Sequence, residues 1–77
     1  MQKPRIRDVA IADDMIRLGQ FLKLSGLAED GSHAKALIEG GDVMVNGRHE
    51  VRRGAQLKGG DVVAVAGADE AVRLLVG

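Results

Sequence analysis

The chain has no cysteine, tryptophan or tyrosine, a single proline, and Phe21 as its one aromatic residue. Without cysteine, neither a disulfide framework nor a thiolate metal site can form. His33 and His49 are the only histidines, and no carboxylate spacing completes a zinc site around them. The scarcity of aromatics excludes single-strand RNA readers of the RRM and OB type, which stack bases on aromatic platforms. No apolar run is long enough for a signal peptide or a membrane span, and the N-terminal stretch is charged (Lys3, Arg5, Arg7, Asp8). These absences lead to the expectation of a cytoplasmic protein with no cofactor, no metal and no membrane contact.

Catalytic signals are also missing. Ser25 and Ser32 have no nucleophile–base motif around them. The glycine pairs at 40–41 and 59–60 read as turns, and no phosphate loop with a following Lys-Ser/Thr is present. The carboxylates are scattered among caps and turns. No catalytic residue is assigned, and a non-enzymatic protein is expected.

What is present is a 77-residue chain that is 45% apolar, enough for the core of one small domain. Formal net charge is zero, with 11 basic and 11 acidic residues, yet the charge is unevenly spread. Residues 1–28 carry a net +2, residues 29–47 a net −3, residues 48–58 a net +3 and residues 59–77 a net −2. The +3 block holds Arg48, Arg52, Arg53 and Lys58 against Glu50. Local potential rather than net charge steers a polyanion, so this segment is a candidate contact surface.

Residues 1–6 read as a basic arm, and the weak alternation of Val9 and Ile11 predicts a short strand over Arg7–Ile11. Asp13 or Asp14 then precedes an apolar period and would cap a first helix running from about Met15 to about Ser25. Leu18, Phe21 and Leu22 form its inward stripe, with Arg17 and Lys23 on opposite flanks. Gly26 ends this helix, and Leu27 closes it with an apolar contact. Asp30 or Ser32 supplies the N-cap of a second helix from about Ser32 to Glu39, and the sequence does not separate the two. The first turn of that helix, with His33 and Lys35 nearby, is electropositive by its dipole.

The segment from Ala34 to Gly47 contains a change of period. Ala34, Leu37 and Ile38 have helical spacing; after Gly40-Gly41, Val43 and Val45 alternate with Met44. Asn46-Gly47 provides the two positive-φ residues of a type I′ hairpin turn. Gln56-Leu57-Lys58 leads into a Gly59-Gly60-Asp61 turn with a left-handed position. Strands follow over Val62–Val65 and Ala71–Val76. The resulting order is strand, helix, helix, then three or four strands.

These residues carry a family resemblance. Arg17-Leu18, Phe21-Leu22, Gly26-Leu27, Ala34-Lys35, Leu37-Ile38, Gly41, Val43-x-Val45-Asn46-Gly47, Leu57 and Gly60-Asp61-x-Val63 follow one another at the spacing of the S-four RNA-binding domain. That domain is named after ribosomal small-subunit protein four. The likeness covers about residues 15–65, and the chain as a whole resembles the short free-standing bacterial members.

The resemblance implies an α+β domain of the α-L type, with two helices on a small, mainly antiparallel sheet of about four or five strands. It also implies a module that holds structured RNA, such as ribosomal RNA or tRNA, without sequence-specific DNA binding. The surface implied comprises Arg17, Lys23, Ser32, His33, Lys35, Asn46, Arg48, Arg52 and Arg53. Two positions depart from the family pattern. Asp30-Gly31 stands where the second helix usually opens with Ser or Thr followed by Arg, and Gly19 stands where the first helix usually has Asp. A principal phosphate ligand is therefore missing, and Arg52 and Arg53 are the residues available to replace it.

A monomer is expected, with ribosomes or ribosome-assembly intermediates as further partners. The competing reading is a protein-interaction or assembly module whose RNA binding is weakened or lost, motivated by the zero net charge and the missing arginine. A β-grasp sulfur carrier, suggested by the strand-rich C-terminal part, is not expected, because those carriers end in Gly-Gly and the last residues here are Val76-Gly77.

Overall fold

Each helix stops at a glycine in the left-handed region, and these stops set the architecture. Gly26 (φ 82°) follows α1 (Leu18–Leu24), and Gly41 (φ 79°) follows α2 (Gly31–Glu39). The computed structural model describes residues 5–77. Its remaining elements are β1 (Arg5–Ile11), β2 (Met15–Arg17), β3 (Val43–Val45), β4 (Arg48–His49), β5 (Gln56–Lys58), β6 (Val62–Val65) and β7 (Glu70–Val76).

Five strands form a mixed sheet in the order β1-β7-β6-β3-β4, while β2 and β5 make a separate antiparallel pair. Neighbours in the large sheet are antiparallel except β1 and β7, which run parallel from Arg5↔Glu70 to Ile11↔Val76. That pairing ties the two ends of the described chain together. The β3–β4 hairpin turns on Asn46 (φ 51°) and Gly47 (φ 82°), the two positive φ values that a type I′ turn requires.

Side chains alternate across β7: Val72 and Leu74 are fully buried, whereas Arg73 and Leu75 are exposed. The core gathers Leu18, Phe21 and Leu22 from α1, Ile38 from α2, and Val43, Leu57, Val63, Val72 and Leu74 from the strands. Phe21 has no solvent exposure, so the chain's one aromatic ring is core and cannot stack a base. Its burial contributes about 2–3 kcal/mol.

Four expectations need correction. Helix α1 begins at Leu18 rather than Met15, because Met15–Arg17 pairs antiparallel with Gln56–Lys58 as β2. This pairing faces half-buried Ile16 against buried Leu57, a tertiary contact that outweighs local helical periodicity. Consequently neither Asp13 nor Asp14 caps the helix. Arg17 is the N-cap, without a side-chain cap bond. Instead the N–H of Leu18 donates to Ala55 O at 2.8 Å and that of Gly19 to Arg53 O at 3.1 Å.

The basic arm expected over residues 1–6 does not include Arg5 and Ile6, which belong to β1; residues 1–4 lie outside the described residues. Gln56–Lys58, expected only as a lead-in, is a strand. At α2 the structure separates the two candidate caps. Asp30 is the N-cap, its Oδ1 accepting from the His33 N–H at 2.8 Å, and helix α2 therefore opens at Gly31.

Candidate nucleic-acid interface

Antiparallel β2 carries the chain straight into α1, and the segment before β5 folds back over the start of that helix through the Ala55 and Arg53 carbonyls. Across from it, α2 packs against α1. Between them lies an open cleft of about 700 Å³. Arg17, Gly19, Gln20 and Lys23 line it from α1 and its cap, Gly31, Ser32, Ala34 and Lys35 from α2, and Arg53 and Gly54 from the overlying loop. Its titratable lining is thus two arginines and two lysines, with no carboxylate.

The charges elsewhere account for the neutral total. Among the described residues, the ion pairs are Arg7 with Glu70 at 2.9 Å, Arg52 with Glu50 at 3.3 Å, and Arg73 with Asp8 at 2.7 Å. None of them takes a cation from the cleft. Arg73 beside Asp8 holds that carboxyl below its usual range through the hydrogen bond it donates, and Arg52 does the same to Glu50. The two guanidinium groups are pushed upward in return. Three carboxylates, Asp8, Glu50 and Glu70, are thus paired with arginines outside the cleft, and none lines the cleft itself.

The implied surface residues divide accordingly. Arg17, Lys23, Ser32, Lys35 and Arg53 converge on the cleft. Arg52 does not join Arg53 there, because the Glu50 carboxylate takes its backbone N–H, Nε and Nη2. Arg48 is an exposed residue of β4, outside the cleft lining. Of the basic residues in the block at 48–58, Arg53 alone thus lines the cleft.

His33 and Asn46 are occupied with the fold. The Nδ1 of His33 accepts from the Glu29 N–H at 3.0 Å, while the backbone N–H of His33 donates to the capping Asp30 carboxylate. Asn46 donates to Asp61 Oδ1 at 3.0 Å and accepts from the Val62 N–H at 2.9 Å. Sequence reasoning overlooked Gln20 and Gly54 as lining residues. The Arg53-Gly54 dipeptide after Arg52 was the available signal, but its seat on α1 depends on a tertiary contact.

Among the described residues, no His, Cys, Asp or Glu group is arranged to hold a metal ion. No helix among them is long and apolar enough to cross a membrane.

Comparison with known proteins agrees with this fold. The family model of the S4 domain matches residues 9–73. The probable ribosome maturation protein RlbA of Bacillus subtilis (strain 168) is 42% identical over 59 residues, which span 77% of this chain and 83% of that protein. The solution structure of YbcJ from E. coli superposes with a TM-score of 0.65 at 29% identity, covering 97% of this chain and 91% of that one. YbcJ is described as having an α-L motif involved in RNA binding. This chain belongs to the S4-domain family.

Proposed function

We propose that the protein is a non-enzymatic RNA-binding module that grips a folded RNA, such as ribosomal RNA or tRNA, through the α1–α2 cleft. One observation carries the reading: four cations, Arg17, Lys23, Lys35 and Arg53, share a cleft that no carboxylate lines. With Phe21 buried, binding rests on phosphate and 2′-OH contacts and on shape, the means by which structured RNA is held. Arginine suits the task because its planar fork bonds two phosphate oxygens at once. Arg48 extends the surface from the β3–β4 hairpin, and the N-terminal turn of α2 brings Gly31 and Ser32 to the phosphates. The protein acts as a cytoplasmic monomer, without a cofactor and without reading DNA sequence.

The test is filter binding to a folded RNA across a salt series. Neutralising about four phosphates gives a slope of log K against log salt of about −3 to −4. Binding that is absent, or insensitive to salt, rejects the reading.

A ribosome-associated assembly role is the second reading, favoured by the name of the B. subtilis relative as a ribosome maturation protein. It predicts that ribosomal particles or their precursors are recovered with the protein from cells. Protein partners that survive complete RNase treatment, with no cross-linked RNA, would favour an interaction module over an RNA grip.

A further inference from the structure

Two glycines in the cleft sit under two arginines in a crossed arrangement. Gly19 is a buried residue of α1, and a Cβ placed on it would meet Arg53 Cγ at 2.8 Å and Cδ at 3.5 Å. Gly54, in the overlying loop, would place its Cβ 3.1 Å from Nη1 of Arg17. Arg17 is in turn the N-cap of α1, and its Nη1 stands 3.5 Å from Gly54 O. Each segment therefore contributes one glycine and one arginine, and each arginine lies over the other segment's glycine.

The backbone holds the two segments together independently of these side chains. Leu18 N–H donates to Ala55 O at 2.8 Å, and Gly19 N–H donates to Arg53 O at 3.1 Å. Glycine is a poor helix residue, so its presence in α1 lowers helix propensity where alanine would raise it. The space it leaves holds the aliphatic stem of Arg53. A β-carbon there stands 2.8 Å from Arg53 Cγ and so forces that side chain to turn about its Cα–Cβ bond, while Arg53 O at 3.6 Å stays in ordinary contact.

We propose that Gly19 and Gly54 are positioning residues of the RNA site: together they form a reciprocal seat that fixes Arg53 and Arg17 as a two-arginine clamp for the phosphates of a folded RNA. The proposal rests on the RNA-binding reading above. It adds that the clamp is pre-organised, so less side-chain freedom is lost on binding. It also locates a substitute for the missing arginine of α2 in the loop before β5.

The experiment compares wild type with Gly19→Ala, Gly54→Ala, Arg53→Ala, Arg17→Ala and the doubles Gly19→Ala/Arg53→Ala and Gly54→Ala/Arg17→Ala. Each is measured for melting temperature, affinity for a folded RNA and salt slope. Gly19→Ala is expected to remain folded, the helix propensity gained offsetting part of the cost of displacing the Arg53 stem, yet to bind about tenfold more weakly with a slope flatter by about one. In the Arg53→Ala background the same change is expected to cost nothing further. Gly54→Ala meets only the far end of a flexible side chain, folds normally, and should lose affinity only while Arg17 is present.

Wild-type affinity and slope in both glycine variants overturns the proposal. So does a loss that persists undiminished when the paired arginine is already gone. A nuclear Overhauser contact between Gly19 Hα and Arg53 Hγ is expected in the wild-type protein without RNA. If wild type binds no RNA, the functional reading falls and this proposal with it; if RNA binds but the Overhauser contact is absent, the seat alone falls.

Discussion

Asn46 joins two turns that are distant in sequence: its Nδ2 donates to Asp61 Oδ1 at 3.0 Å while its Oδ1 accepts from the Val62 N–H at 2.9 Å. The backbone reinforces the joint, with the Asn46 N–H donating to Val62 O at 2.8 Å. Asp61 in turn accepts from the Lys58 N–H at 2.9 Å. The β3–β4 hairpin and the β5–β6 turn are thus one hydrogen-bonded corner. The Asn-Gly and Gly-Asp signatures that the family resemblance rests on meet in this corner.

Asn46→Ala is therefore expected to destabilise the domain by about 1–3 kcal/mol, through two lost hydrogen bonds and a side chain at positive φ. In a domain of this size that lowers the melting temperature by about 4–8 °C per kcal/mol. Asn46→Gly retains the turn conformation and should lose only the hydrogen bonds. Thermal melts separate the two. The salt slope of RNA binding by the folded Asn46→Ala protein should match that of wild type.

Phe21 is a fully buried core residue of α1. Phe21→Ala is expected to cost about 3–5 kcal/mol, and Phe21→Leu about 1 kcal/mol. Chemical denaturation of both variants checks the order. A loss of RNA binding by folded Phe21→Leu comparable to that of a cleft-arginine variant would contradict a purely structural role.

The Asp8–Arg73 pair gives an acid-sensitive contribution to stability. Arg73 donates to both carboxylate oxygens, at 2.7 and 3.2 Å, and holds the Asp8 carboxyl below its usual range. Because the value is lowered in the folded state, the stabilisation is fully present above the ordinary carboxylate value. It is lost as pH falls through the lowered one. The difference in melting temperature between wild type and Asp8→Asn should be small, open near neutrality, and close as pH falls from the ordinary carboxylate value through the lowered one. A difference that widens in acid contradicts the assignment.

Legibility in the sequence followed the range of the interactions. The helix stops at Gly26 and at the Gly40-Gly41 pair, the Asn46-Gly47 turn and a left-handed position in the Gly59-Gly60-Asp61 turn depend on neighbours in the chain, and they were readable; the structure puts the positive φ at Gly41 and Gly60. β2 was not readable, because Met15–Arg17 looks helical until Gln56–Lys58 is brought beside it. The site shows the same division. Arg17, Lys23, Ser32, Lys35 and Arg53 were named from the family pattern and stand around one cleft. Arg52 and Arg53 are equivalent in sequence, and in the fold the Glu50 carboxylate holds Arg52 while Arg53 lies over Gly19. The neutral composition concealed the cleft because the pairing that sets its potential is three-dimensional.

Alanine substitution of individual cations tests that account most directly. Arg17, Lys23, Lys35 and Arg53 form one group, and the carboxylate-paired Arg7, Arg52 and Arg73 form the other. Each variant is titrated with a folded RNA across a salt series. Every cleft substitution is predicted to weaken binding and to flatten the salt slope by about one, while substitutions of the paired arginines leave the slope unchanged. Equal effects from both groups, or a slope untouched by all four cleft substitutions, would contradict it.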